Sequence, residues 1–169
     1  LEHFLRNVDA VLSILPFKAF EKDRPPAVVR RGDARRLPLD SSTVDIVISS
    51  PPYLNAIDYL RGHKLSLIWM GHTVSKLRQV RSTNIGTEVS AGADILNPII
   101  ATALDRMGDL HRLPLRQKEL LARYAADMHQ TLGEIARVLV TGGRAVLVVG
   151  DSTIRGVYVR NSKALAYLS

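Results

Sequence analysis

The sequence predicts an α/β fold: a mostly parallel sheet with flanking helices. Three stretches carry this reading. Val44–Ile48 is β-branched except for Asp45, the composition of a strand covered on both faces. Gln117–Val140 holds apolar residues at helical spacing, among them Leu120, Leu121, Tyr124, Met128, Leu132, Ile135, Ala136 and Leu139. Ala145–Val149 is a second continuous apolar run, short enough for a buried strand.

The remaining elements follow in chain order. Leu1–Phe17 reads as a helix, with Leu5, Val8, Val11, Leu12 and Leu15 on one face and Pro16 at its end. Glu21–Pro26 is charged and proline-bearing, hence a loop. Ala27–Arg31 is a short strand candidate, released by Gly32, with Asp33 at its carboxyl end. Pro38–Thr43 turns into the central strand. Pro51 ends that strand, because proline has no N–H for the ladder. Asn55–Gly71 reads as a helix whose Tyr59, Leu65, Leu67, Ile68, Trp69 and Met70 supply apolar surface, with Trp69 expected in the core. His72–Asn97 is irregular, with Lys76, Arg78 and Arg81 among Ser, Thr, Asn and Gly, and reads as a mobile loop. Pro98–Met107 is a helix candidate. Thr141-Gly142-Gly143 is expected to end the long helix in a left-handed glycine cap. Gly150-Asp151-Ser152 turns, Gly156–Arg160 is a further strand in a hairpin with the one before it, and Asn161 is a candidate cap for a final helix.

Bulk properties narrow the function classes. A length of 169 residues suggests one domain with a sizeable core. Cysteine is absent, which removes disulfides, thiolate metal sites and cysteine nucleophiles and fits a reducing, cytoplasmic setting. No run of about 18 apolar residues suggests a membrane span, and no secretory signal is visible. Lysine and arginine number 23 against 16 aspartate and glutamate, a net charge of +7 that favours an anionic partner such as nucleic acid. The five histidines, at 3, 63, 72, 111 and 129, lack metal-ligand spacing. No Gly-x-Ser-x-Gly elbow supports a serine hydrolase. Gly142-Gly143 follows a helix and precedes a strand, the reverse of a dinucleotide phosphate loop.

The chemistry concentrates at Ser50-Pro51-Pro52-Tyr53. Each proline pushes the residue before it toward extended geometry, so the corner is stiff. A hydroxyl, fixed carbonyls and a phenol ring converge at the carboxyl end of a strand, where open α/β sheets bind ligands. Ser50 and a carbonyl of the Ser50-Pro51-Pro52 run can accept both N–H bonds of an exocyclic amine, and Tyr53 can stack on the base that carries it. Such a base must first leave its duplex. Asp33, just past a strand candidate, can accept from the amino group of an adenine, and the N–H of Ala34 can meet a ring nitrogen. Asp45 lies inside the strand and requires hydrogen-bonding partners if buried.

Ser-Pro-Pro-Tyr after a hydrophobic strand resembles the catalytic motif of the DNA amino-methyltransferases, the N4-cytosine and N6-adenine enzymes. Its serine looks most like the N4-cytosine branch. Gly32-Asp33-Ala34-Arg35-Arg36-Leu37-Pro38 resembles the family's cofactor-adenine loop, and Gly142-Gly143-Arg144 with the strand to Gly150 resembles its late core strand. The likeness spans most of residues 26–160. It implies a Rossmann-like fold and methyl transfer from S-adenosylmethionine to cytosine N4, with Ser50, Pro51, Pro52 and Tyr53 as the catalytic set. Asp33, Ala34 and Ser50 would meet the cofactor. Lys76, Arg78 and Arg81 would face DNA, with RNA an alternative. Adenine N6, a tRNA guanine amine, or an inactive nucleic-acid-binding remnant remain open. The family's glycine-rich cofactor turn and its ribose-binding acid have no counterpart here. The resemblance therefore implies that the first strands are missing ahead of Leu1, leaving a sheet edge open to self-association or a second chain.

Overall fold

A computed structural model of the chain describes residues 27–54, 59–83, 85 and 97–169. The expected helix Leu1–Phe17 lies outside the described residues. The chain divides into two compact units, Leu1–Arg31 and Gly32–Ser169. In the first, residues 27–31 are exposed and form no strand, correcting the expectation for Ala27–Arg31. A strand is held by a ladder, and among the described residues this run joins none.

The second unit begins with a tight turn at Asp33–Arg36, closed by the Arg36 N–H on the Asp33 carbonyl. β1 (Val44–Ser49) follows. Next come α1 (Tyr59–Trp69), α2 (Val74–Thr83) and α3 (Pro98–Met107). A short 3-10 turn, Leu110–Arg112, leads to α4 (Leu115–Val138), which runs straight into β2 (Leu139–Leu147). β3 (Ser152–Ile154), β4 (Val157–Val159) and α5 (Asn161–Leu168) complete the chain.

β1 and β2 pair in parallel, from Val44 beside Leu139 to Ser49 beside Leu147. A parallel pair needs a long crossover, and here it includes α4. The register slips between Val44 and Ile46, which face Leu139 and Arg144. Gly142, at φ 82°, and Gly143 make that bulge possible. A Cβ on Gly143 would stand 2.9 Å from the Val140 carbonyl and 3.1 Å from that of Asp45. The glycine pair therefore serves the strand and does not cap the helix. α4 ends at Val138, with Leu139 already extended.

The core lies between α3, α4, α5 and the β3–β4 hairpin. Ile100, Ala103 and Met107 meet Leu121, Tyr124, Ala125 and Met128, closed by Ile154, Val159, Ala164 and Leu165. At about 25 cal/mol per Å² of apolar surface, this cluster is the main stabilising block of the described residues. α3 is capped as a helix should be: the Asn97 side chain accepts from the Ile99 N–H at 2.9 Å. β3 and β4 form an antiparallel hairpin over Arg155-Gly156, whose φ values of 48° and 78° suit a two-residue turn. The partner of the last strand is thus Ser152–Ile154, not the preceding Ala145–Val149 run. Asn161 is not the cap of α5 either. It is buried in the first turn, and Asp151 accepts from the Ser162 N–H in its place.

Other expectations are also corrected. β1 and β2 are covered on one face only: Val47, Leu139, Leu147 and Val149 pack on the core, while Ile46, Ile48, Val146 and Val148 are exposed. Asp45 is exposed as well and so needs no buried partner. Trp69 is 93% exposed, because α1 turns Leu67 and Ile68 inward and leaves Leu65, Trp69 and Met70 outside. The segment read as a mobile loop contains α2, with Lys76 and Arg78 on it. Among the described residues no helix is long and apolar enough to cross a membrane.

Candidate active site

α4 organises the site. The chain from Asp33 to Thr43 runs down this helix, parallel to it. Midway along it Arg35 donates to Asp127 at 2.8 Å. Further down, the Leu37 N–H donates to Glu134 at 2.7 Å. Arg137 donates to the carbonyls of Leu37 and Leu39 and to the Ser41 hydroxyl. At the bottom the Ser42 and Thr43 N–H groups meet the Arg137 and Val138 carbonyls. β1 then climbs back beside β2, and the corner after it meets α4 again at Tyr124. Tyr124 and Asp127 are three residues apart, neighbours on one helix face. The helix thereby holds the Asp33 turn and the Ser50–Tyr53 corner to the same stretch of its length, through Asp127 and Tyr124.

The corner itself is well tied. The Ser50 hydroxyl donates to the Val148 carbonyl at 3.4 Å, which leaves its lone pairs to accept. The Pro52 carbonyl accepts from the Tyr124 hydroxyl at 3.0 Å, and the Leu54 carbonyl from the Ser152 hydroxyl at 2.7 Å. Of the three carbonyls considered for an amine, that of Pro52 already accepts one hydrogen bond, so those of Ser50 and Pro51 are the readier partners. Tyr53 is 39% exposed, with its ring over Gly150, where a Cβ would meet it at 3.6 Å. Both faces of the chemistry, an acceptor pair and a ring edge, lie at the carboxyl end of β1. Burial raises the pKa of Tyr124, and the Asn161 hydrogen bond opposes that rise. At neutral pH the hydroxyl keeps the proton it donates to Pro52.

Asp33 is engaged by its own neighbour. Its Oδ1 accepts from the Arg35 N–H and Nε at 2.9 and 3.1 Å, and its Oδ2 accepts from NH2 at 2.8 Å. These hydrogen bonds hold its carboxyl below the ordinary 3.8. The same contacts, with Asp127, raise the Arg35 pKa. Oδ2 keeps a lone pair, and the side chain is 50% exposed. It can therefore still accept from an amine such as that of the cofactor's adenine, with Ala34 the next residue in the same turn. Glu134 is pulled down to about 2, first by its hydrogen bond from Arg137 and then by the Leu37 N–H.

The basic residues are less gathered. Lys76 and Arg78 are exposed, but two residues apart on α2 they point to different sides. Arg81 lies in the same helix, its side chain outside the described residues. No group of three or more His, Asp or Glu side chains is placed to hold a metal among the described residues.

Sequence reasoning missed Asp127, Glu134, Arg137, Ser152 and Asn161. Only Tyr124 carried a local signal, its place in the apolar stripe of the helix, and that named no partner.

No family model matches the chain, and no solved structure matches it. Over 51 residues it is 37% identical to the Type II methyltransferase M.BsoBI of Geobacillus stearothermophilus. That stretch is 30% of this chain and 10% of the relative, so the match spans about a tenth of the relative's length. The chain is similar to a methyltransferase over that stretch.

Proposed function

We propose that the chain carries the base-binding and catalytic corner of a DNA methyltransferase, one that moves a methyl group from S-adenosylmethionine to an exocyclic amine, cytosine N4 first. The observation that carries this reading is the corner after β1, where a serine hydroxyl committed as donor to Val148 has its lone pairs free beside a half-exposed tyrosine. The partial likeness to a Type II methyltransferase supports it.

An extrahelical base would stack on Tyr53 while its amine donates to Ser50 Oγ and to a carbonyl of Ser50 or Pro51. These acceptors strengthen as the nitrogen turns tetrahedral, so they favour the transition state over the ground state. Bound S-adenosylmethionine supplies an electrophilic methyl, and no covalent enzyme intermediate is needed. Asp33 and Ala34 would hold its adenine edge. Catalysis then rests on positioning: Arg35 and Asp127 fix the Asp33 turn, Tyr124 and Ser152 fix the corner, and α4 joins the two. The product ammonium gives its proton to water.

The test is transfer of a labelled methyl group from S-adenosylmethionine to DNA, followed by digestion and base analysis. N4-methylcytosine is the expected product. N6-methyladenine would keep the enzyme class and move the substrate. DNA binding without transfer, by a chain that also fails to bind S-adenosylmethionine, would overturn the reading in favour of an inactive binding module.

A further inference from the structure

Two buried side chains behind the corner form a chain of hydrogen bonds. Asn161 is 1% exposed and Tyr124 2%. The Asn161 amide donates to the Tyr124 hydroxyl at 3.1 Å and reaches the Gly150 carbonyl at 3.5 Å. Tyr124 in turn donates a hydrogen bond to the Pro52 carbonyl at 3.0 Å. The direction is fixed by what each group can do. A phenol has one proton, and a carbonyl only accepts. With that proton on Pro52, the Tyr124 oxygen must accept, so Asn161 must turn its NH2 inward. Donor chains of this kind polarise one another and stiffen.

The arrangement has a cost. With the NH2 turned to Tyr124 and Gly150, the Asn161 Oδ1 is buried with no partner among the described residues. An unsatisfied buried acceptor is destabilising, and an apolar side chain of the same size would avoid it. Packing alone therefore does not explain an asparagine here. Its amide is kept for the two acceptors it meets.

Those acceptors border Tyr53. Pro52 and Leu54, the residues on either side, have their carbonyls pinned by Tyr124 and Ser152. Gly150, the other acceptor of Asn161, lies under the Tyr53 ring. The relay thus reaches the ring through the peptide before it and the backbone beneath it.

We propose that Asn161 and Tyr124 are positioning residues that set the pose of the Tyr53 ring for the incoming base, through the relay from the Asn161 amide to the Tyr124 hydroxyl to the Pro52 carbonyl. The inference rests on the methyl-transfer reading for its catalytic consequence, but not for the pose itself. Neither residue touches substrate.

The test uses the full chain with 3-fluorotyrosine at position 53 alone, as wild type, Tyr124→Phe and Asn161→Leu. Phenylalanine keeps the ring that fills the core and removes only the hydroxyl, which donates to Pro52 and accepts from Asn161, so the fold should survive. The fluorine resonance of Tyr53 is expected to shift or broaden in Tyr124→Phe, and to a smaller extent in Asn161→Leu, where Tyr124 keeps its proton. Methyl transfer in Tyr124→Phe should fall about ten-fold in kcat with KM for DNA and S-adenosylmethionine within about two-fold, the signature of a contact that matters in the transition state. A Tyr53 resonance unchanged in folded Tyr124→Phe overturns the proposal. So does a shifted resonance with wild-type kcat. A shifted resonance in a chain whose wild type transfers no methyl would uphold the brace and sink the methyl-transfer reading instead.

Discussion

The Arg35 clamp can be tested for stability without assuming any activity. Arg35→Met keeps the aliphatic stem and removes the guanidinium that joins Asp33 to Asp127. The two arms differ in worth. Asp33 is 50% exposed, so water screens its pair with Arg35 to below about 1 kcal/mol. Asp127 is 13% exposed at 2.8 Å, where a hydrogen bond to a charged group contributes about 1.5–3 kcal/mol. The expected loss is about 2–3 kcal/mol, set mostly by the Asp127 arm. With a urea slope of about 2 kcal/mol per M, the unfolding midpoint should fall by roughly 1 M. The pH dependence has a definite sign. Arg35 holds the Asp33 carboxyl below its ordinary 3.8, so this contribution is complete above that value and is lost as pH falls through the lower folded pKa. The gap between wild type and Arg35→Met should therefore be widest near neutrality and narrow below pH 3.8. Urea titrations at pH 7 and in acid decide it. An unchanged midpoint at pH 7, or a gap that widens in acid, would refute the reasoning.

Ser50→Ala and Tyr53→Ala should each lower methyl transfer by about ten-fold or more while leaving the circular-dichroism spectrum unchanged, since neither side chain is in the core; wild-type turnover in both would remove the corner from the mechanism. Asp33→Ala should weaken S-adenosylmethionine binding by roughly 1–3 kcal/mol, measured by calorimetry, with little change in DNA affinity. Neutralising Lys76, Arg78 and Arg81 together should flatten the salt dependence of DNA binding, and an unchanged slope would place the phosphate contacts elsewhere. Gly143→Ala should cost about 1–3 kcal/mol of stability, because its Cβ would press on two backbone carbonyls that have no flexible side chain to yield.

Local patterns made part of this molecule legible. The β-branched run before Pro51 is β1, and the helical spacing of Leu121, Tyr124, Met128, Leu132 and Ile135 is the buried stripe of α4. Those signals need only the residues themselves and their period. What failed depended on distant partners. Ala27–Arg31 has strand composition but joins no ladder among the described residues. Ile46 and Ile48 have the composition of a covered strand and one bare face. Trp69 is apolar and in a helix, yet exposed, because its turn of α1 presents other residues inward. Tyr124 was legible as apolar surface but not as a donor, since the carbonyl it meets is 72 residues away.

The loop between Asp33 and β1 shows why the union of the two site pieces was beyond sequence reading. From Asp127 to Val138 the helix rises about 16 Å. Ten residues of chain, Asp33 to Thr43, can span up to about 33 Å when extended. The loop therefore has roughly twice the length it needs. A taut connection would fix its own path, and its length would have placed Asp33. A slack one is placed by whatever grips it. Here the grips are Asp127, Glu134 and Arg137, charged residues on a helix flank that read in isolation as solvated surface. The slack is absorbed by the Asp33–Arg36 turn and by the bends that follow it. Placement of Asp33 beside the same stretch of α4 as Pro52 is thus a property of side-chain pairing across more than 90 residues, and the Arg35→Met titration probes the pair that sets it.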